Sequence, residues 1–119
     1  MQYQWKNRIL VLSAPTEDGK NLREQQDEVA SAPEETADRD IALVTLLDDT
    51  ISTAEDRELT TEETATSRAV LGIRPGSFSL RLIGKDGSVK LPSETASSMT
   101  EIYALIDAMP IRQREEPDR

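Results

Sequence analysis

The 119 residues include no cysteine and no histidine. Without a thiol there is no disulfide, no thiolate nucleophile, and no thiol-disulfide or cysteine-peroxidase chemistry in this chain. Without imidazole, the commonest general base and the commonest zinc ligand are missing too, and no cofactor is expected. Aromatic residues make up 3% of the chain (Tyr3, Trp5, Phe78 and Tyr103), so Val, Leu, Ile and Ala must fill whatever core it builds. No apolar run approaches the roughly 20 residues that cross a bilayer. Membrane insertion is therefore not expected. No charged segment followed by an apolar stretch opens the chain. A leader replaced by Met1 would imply a periplasmic or secreted protein, and otherwise the expectation is a cytoplasmic one. The sequence leaves both open.

Charge of one sign is scarce in part of the chain. The net charge is −9, which argues against a nucleic-acid partner, because phosphate contact needs a concentrated basic surface. Residues 14–64 hold 16 acids against 4 bases, net −12, and the remainder holds 7 acids and 10 bases, net +3. This two-sidedness suggests an acidic protein or anionic ligand as partner, met by Lys85, Lys90, Arg112 and Arg114.

What is present is an ordered series of elements within one expected domain, residues 1–119, with a core over about 5–110 and a charged tail at 111–119. Ile9-Leu10-Val11-Leu12 and Ile41 to Leu47 are unbroken apolar runs, read as strands buried on both faces. Between them, Asn21 with Glu24 has the spacing of a capping box for a helix to about Ala30. A polar connection at 31–38 follows, with one helical turn near Glu34. A polar loop is expected over 50–59. Thr60 with Glu63 then caps a second helix whose inward residues are Ala65, Ala69, Val70 and Ile73, ended by Gly72. Phe78 to Leu82 alternates as a half-exposed strand does, and Gly84-Lys85-Asp86-Gly87 turns it into Ser88 to Leu91. Ser98 and Glu101 cap a last helix carrying Ile102, Leu105, Ile106 and Met109, stopped by Pro110. The order is βαβαββα, the connectivity of the thioredoxin-like α/β fold. It implies a four-stranded mixed sheet of order 2-1-3-4 with flanking helices.

Four segments carry a resemblance to a known family: Trp5 to Val11; Arg39-Asp40-Ile41; Leu82 to Gly87 with Val89-Lys90-Leu91; and Ile106-Asp107-Ala108-Met109-Pro110-Ile111-Arg112-Gln113-Arg114-Glu115. Together they resemble the P-DUDES proteins, a thioredoxin-like, peroxiredoxin-related domain of unknown function found in small bacterial proteins and in sushi-repeat-containing secreted animal proteins. The resemblance implies a peroxiredoxin-like relative and supplies no reaction.

Thioredoxin-like enzymes hold their nucleophile just after the first strand. Here that loop reads Ser13-Ala14-Pro15-Thr16-Glu17-Asp18, with no base beside either hydroxyl, and Pro75 lies too early for the proline that faces the nucleophile in such enzymes. Asp38 and Asp40 lie at one end of the second strand and Asp48-Asp49 at the other, roughly 20 Å apart at ordinary strand rise, so they read as solvated ends rather than a cation site. The candidate binding or structural charges are Arg39, Asp40, Lys85, Asp107 and Arg112, all inside the resembling segments. Their bland reading is a set of ion pairs holding strand start, hairpin and tail together. Trp5 reads as an apolar lid. A non-catalytic binding or interaction module is expected, the alternative being a thiol-independent enzyme related to peroxiredoxins.

Overall fold

A strand that is apolar on both faces must be covered on both, and the two strongest apolar runs therefore sit together in the middle of a sheet. The computed structural model describes residues 7–109. Along the chain the elements are β1 (Arg8–Ala14), α1 (Lys20–Ala30), α2 (Pro33–Asp38), β2 (Ile41–Leu47), β3 (Thr53–Ala54), β4 (Arg57–Glu58), α3 (Thr61–Leu71), β5 (Ser79–Ile83), β6 (Val89–Ser93) and α4 (Met99–Asp107). β1 runs parallel to β2, with Leu10 opposite Leu43, and antiparallel to β5, with Leu10 opposite Leu82.

The sheet order is β4-β3-β2-β1-β5-β6. The expected 2-1-3-4 core is present as β2-β1-β5-β6, but the sheet has six strands where four were expected. The addition is a short hairpin inside the expected polar loop. Thr45 pairs with Thr53 and Val44 with Ala54, and the Glu55 N–H donates to the Leu43 carbonyl at 2.8 Å, so the hairpin caps an edge of β2 that would otherwise expose its backbone groups. Two-residue strands carry no periodicity, and nothing in the sequence marked them.

The period-two pleat divides the core. Leu10, Leu12, Leu80 and Leu82 meet Leu22 of α1 and Ile102 and Ile106 of α4 on one face. Ile9, Val11, Val44, Leu46 and Ile83 meet Ile73 and the partly buried Leu71 on the other. β5 is buried along its whole length rather than half exposed. Its two polar inward residues are satisfied, Ser79 by donating to Glu94 Oε2 at 2.7 Å and Arg81 by donating to the Leu80 carbonyl at 3.0 Å.

Helix starts follow the capping signals unevenly. Thr60 and Glu63 form the full reciprocal box, and Gly72 closes α3 in the left-handed conformation at φ 67°. Ser98 accepts from the Glu101 N–H at 3.2 Å. The Asn21–Glu24 box does not form, because α1 begins at Lys20 after Gly19 and so places Asn21 inside the helix. Asn21, Gln25 and Glu28 instead present one face. Their side-chain oxygens accept from the N–H groups of Ala96 (3.3 Å), Ser97 (2.7 Å) and Met99 (2.8 Å), strapping the approach to α4 onto α1.

α3 also departs from expectation. Ala65, Ala69 and Val70, expected inward, are exposed, while Thr64 is buried and Arg68 and Leu71 are partly so. Alanine suits either side of a helix and does not fix its rotation. Ile73, just past the helix, is buried as expected.

Candidate functional site

The charges singled out from sequence gather at the amino end of β2. Asp40 adopts φ 52° between α2 and β2, a turn that aspartate tolerates better than most side chains. Its carbonyl accepts from Arg8 N at 2.9 Å, and its carboxylate accepts from Lys85 Nζ at 2.8 Å. Arg39 is held from three sides. Asp107 accepts from Nε at 3.0 Å and from Nη2 at 2.8 Å, Glu35 accepts from Nη1 at 2.8 Å, and the guanidinium lies 4.4 Å from the centre of the Tyr103 ring. The Asp107 hydrogen bonds, ahead of Glu35, raise the Arg39 pKa against the effect of burial, so its charge is permanent. Tyr103 in turn donates to the Ala32 carbonyl at 3.3 Å. The structure thus brings Arg39, Asp40, Lys85 and Asp107 to one end of the sheet, tying α2, α4 and the β5–β6 hairpin together. Arg112, Arg114 and Trp5 lie outside the described residues.

The hairpin lysines are engaged by carboxylates of the same chain. Beside the Lys85–Asp40 pair, Lys90 Nζ donates to Asp86 Oδ2 at 2.8 Å, and the Ser88 N–H donates to Asp86 Oδ1 at 3.0 Å. Lys90 first, then Ser88, lower the Asp86 carboxyl from the ordinary 3.8 to about 2. Because the folded value lies below the unfolded one, its stabilising contribution is present above 3.8 and fades as the pH falls toward about 2. The expected result is an Asp86 carboxyl-carbon titration with its midpoint near 2. In Lys90→Ala it should move toward the ordinary aspartate value, and an unchanged midpoint there would show that the lysine has no part in it.

The opposite end of the sheet, where β1 and β2 finish, holds a second arrangement that sequence reading missed. Ser13 is fully buried in β1 and accepts from Arg68 Nε at 3.2 Å. Arg68 Nη2 pairs with Asp48 Oδ1, and Asp48 Oδ2 accepts from the Gly76 N–H at 2.8 Å. Asp48 is exposed, as expected of a strand end, but its carboxylate also ties β2 to α3 and to the loop before β5. Asp49, beside it, is exposed without such a partner among the described residues. Arg68 shares a helical face with Thr61 and Thr64, a spacing readable from sequence had the buried threonine rather than the alanines set the helix rotation.

These residues border an open cleft of about 400 Å³ between the 47–52 loop and α3, with Leu47, Asp49, Ile51, Leu59, Ala65 and Arg68 in its walls. Arg68 Nε donates to Ser13 and the buried Nη2 is ion-paired with Asp48 without a hydrogen bond of its own, which leaves Nη1 as the nitrogen that neither residue engages. The Ser13 hydroxyl is inaccessible, and the Thr16 hydroxyl donates a hydrogen bond to Asp18 Oδ1 at 2.6 Å, the first cause of a lowered Asp18 pKa. Neither hydroxyl is set up as a nucleophile. Among the described residues no group of three or more carboxylates is placed to hold a metal ion, and no helix is long and apolar enough to cross a membrane.

The fold is similar to that of a crystallised 2-Cys peroxiredoxin from Plasmodium vivax in its reduced form, with a TM-score of 0.64 over 97% of this chain and 83% of that one, at 16% identity. That likeness shows the thioredoxin-like fold. In sequence the chain is 28% identical over 131 aligned residues to the coiled-coil domain-containing protein 80 of Danio rerio. The match covers 96% of this chain and 15% of that much longer protein. Residues 1–115 match the family described as Domain of unknown function (DUF4174). Nearly the whole chain is taken up by that match, and the chain belongs to this family.

Proposed function

We propose that the protein is a binding module on a thioredoxin-like scaffold, acting without redox chemistry, and that its contact region is the cleft at the carboxyl ends of β1 and β2. One observation carries the reading. Arg68 is fixed there by Ser13 and Asp48, with its remaining donor nitrogen beside an open, partly apolar cleft whose hydroxyls, Thr50, Ser52, Thr61 and Thr64, have no histidine in the chain to serve as their base. A pre-set donor beside apolar wall is what a binding surface needs. The other end of the sheet is the weaker candidate, because Arg39, Lys85 and Lys90 are all spent on carboxylates of this chain. The sequence segments support the narrower P-DUDES placement, and the absence of cysteine supports a non-catalytic role.

The expected result in insulin-reduction and peroxide-consumption assays is no turnover above a buffer blank. Turnover by purified, metal-free protein that rises in proportion to its concentration would contradict the reading and return the chain to enzyme chemistry.

A further inference from the structure

We propose that the cleft and the outer face of α3 dock a basic protein segment carrying an apolar anchor. This rests on the contact region assigned above and adds the chemistry of its partner. The apolar part comes first. Ile51 is 55% exposed in the cleft wall, with the half-buried Leu59 and the exposed Ala65 across from it. Ala69 follows Ala65 one turn along α3, while Val70, 74% exposed, lies farther around the helix and away from the cleft. This is the helix face that hydrophobic patterning alone would turn inward, and it stands uncovered because Thr64 and Arg68 take the inward side.

Charge says what covers it. Residues 48–63 hold seven acids and one base, a net charge of −6. Arg57 is taken by Glu63, and Asp48 by Arg68. Asp49, Glu58 and Glu62, next in the chain to or among the cleft-lining residues, have no cationic partner among the described residues, so the rim keeps its negative field, to which Glu55 and Asp56, at the hairpin turn beside Leu43, add only at longer range. Such a rim repels acidic segments and steers basic ones. Arg68, already neutralised by Asp48, adds no repulsion for a cation and presents Nη1 to a main-chain carbonyl. An extended segment with lysine or arginine against the rim and one aliphatic side chain against Ile51 and Ala65 satisfies every group.

The test uses fluorescein-labelled synthetic peptides of equal length, built of lysine and leucine, lysine and serine, or glutamate and leucine, read by anisotropy at two salt concentrations. The lysine-leucine peptide should bind, more weakly in high salt. Its affinity should fall about tenfold or more in Ile51→Ser and in Asp49→Lys/Glu62→Lys. All three positions are exposed, so Ile51→Ser should keep the wild-type melting curve and Asp49→Lys/Glu62→Lys should melt only slightly lower, Glu62 being in the first turn of α3, and the loss is then one of binding. Equal binding of the lysine-serine peptide would overturn the apolar anchor. Tighter binding of the glutamate-leucine peptide, lost in the same variants, would overturn the basic chemistry and leave the contact region standing. Lysine-leucine binding indifferent to both variants, or no binding by any peptide, would overturn the inference. Indifferent binding would move the contact region as well.

Discussion

Leu10→Ala is expected to lower the stability of the protein by about 3 to 5 kcal/mol, read as a shift of the guanidinium midpoint at unchanged slope. Leu10 sits in β1, the strand on which β2 closes from one side and β5 from the other, and it is fully buried opposite Leu43 and Leu82. Its side chain belongs to the larger of the two clusters, the one that α1 and α4 cover. Alanine leaves a cavity there that cannot collapse, because both flanking strands are fixed by backbone pairing. Domains of this size have roughly 5 to 15 kcal/mol in total, so the variant should be close to unfolding at growth temperature. A loss below about 1 kcal/mol would show that β1 is not the centre of the packing.

Asp48→Ala is expected to cost about 1 to 3 kcal/mol, a large effect for an exposed residue at a strand end. The substitution leaves the Arg68 guanidinium, with its side chain 12% exposed, without its counter-charge, and it deprives the Gly76 N–H of its acceptor. The Asp48 side chain is itself 24% exposed, so water restores part of the loss. Arg68→Met removes the stranded charge, so the double variant should be markedly more stable than the two single effects summed. The coupling should exceed about 1 kcal/mol. Additive effects would mean that the pair at the floor of the cleft does not hold β2 to α3.

These two residues mark where the fold was legible and where it was not. Leu10 lies in an unbroken apolar run, and such a run announces a doubly covered strand whatever its neighbours are. The hairpin at Gly84 to Gly87, the Thr60–Glu63 box and the Gly72 cap were legible for a similar reason, since each is a local signal satisfied by local geometry. The roles of Asp48, Arg68 and Ser79 were not, because each is set by a partner on another segment of the chain. For Arg68 the partner Ser13 is on another element entirely. The β3–β4 hairpin was hidden because its strands exist only by pairing with β2. Of the candidate charges, Arg39, Asp40, Lys85 and Asp107 could be picked from sequence as a set, and they do converge. Their being engaged by carboxylates rather than offered to a ligand could be seen only in the pairing geometry.

The position of the contact region is tested most directly by amide chemical-shift mapping of the labelled protein titrated in turn with the lysine-leucine and the glutamate-leucine peptide. A contact region at the carboxyl ends of β1 and β2 predicts shifts at residues 47–52 and 59–70 on adding the lysine-leucine peptide, with the 84–90 hairpin unmoved. Shifts centred on Lys85 and Lys90, produced by the glutamate-leucine peptide and absent around Arg68, would contradict it.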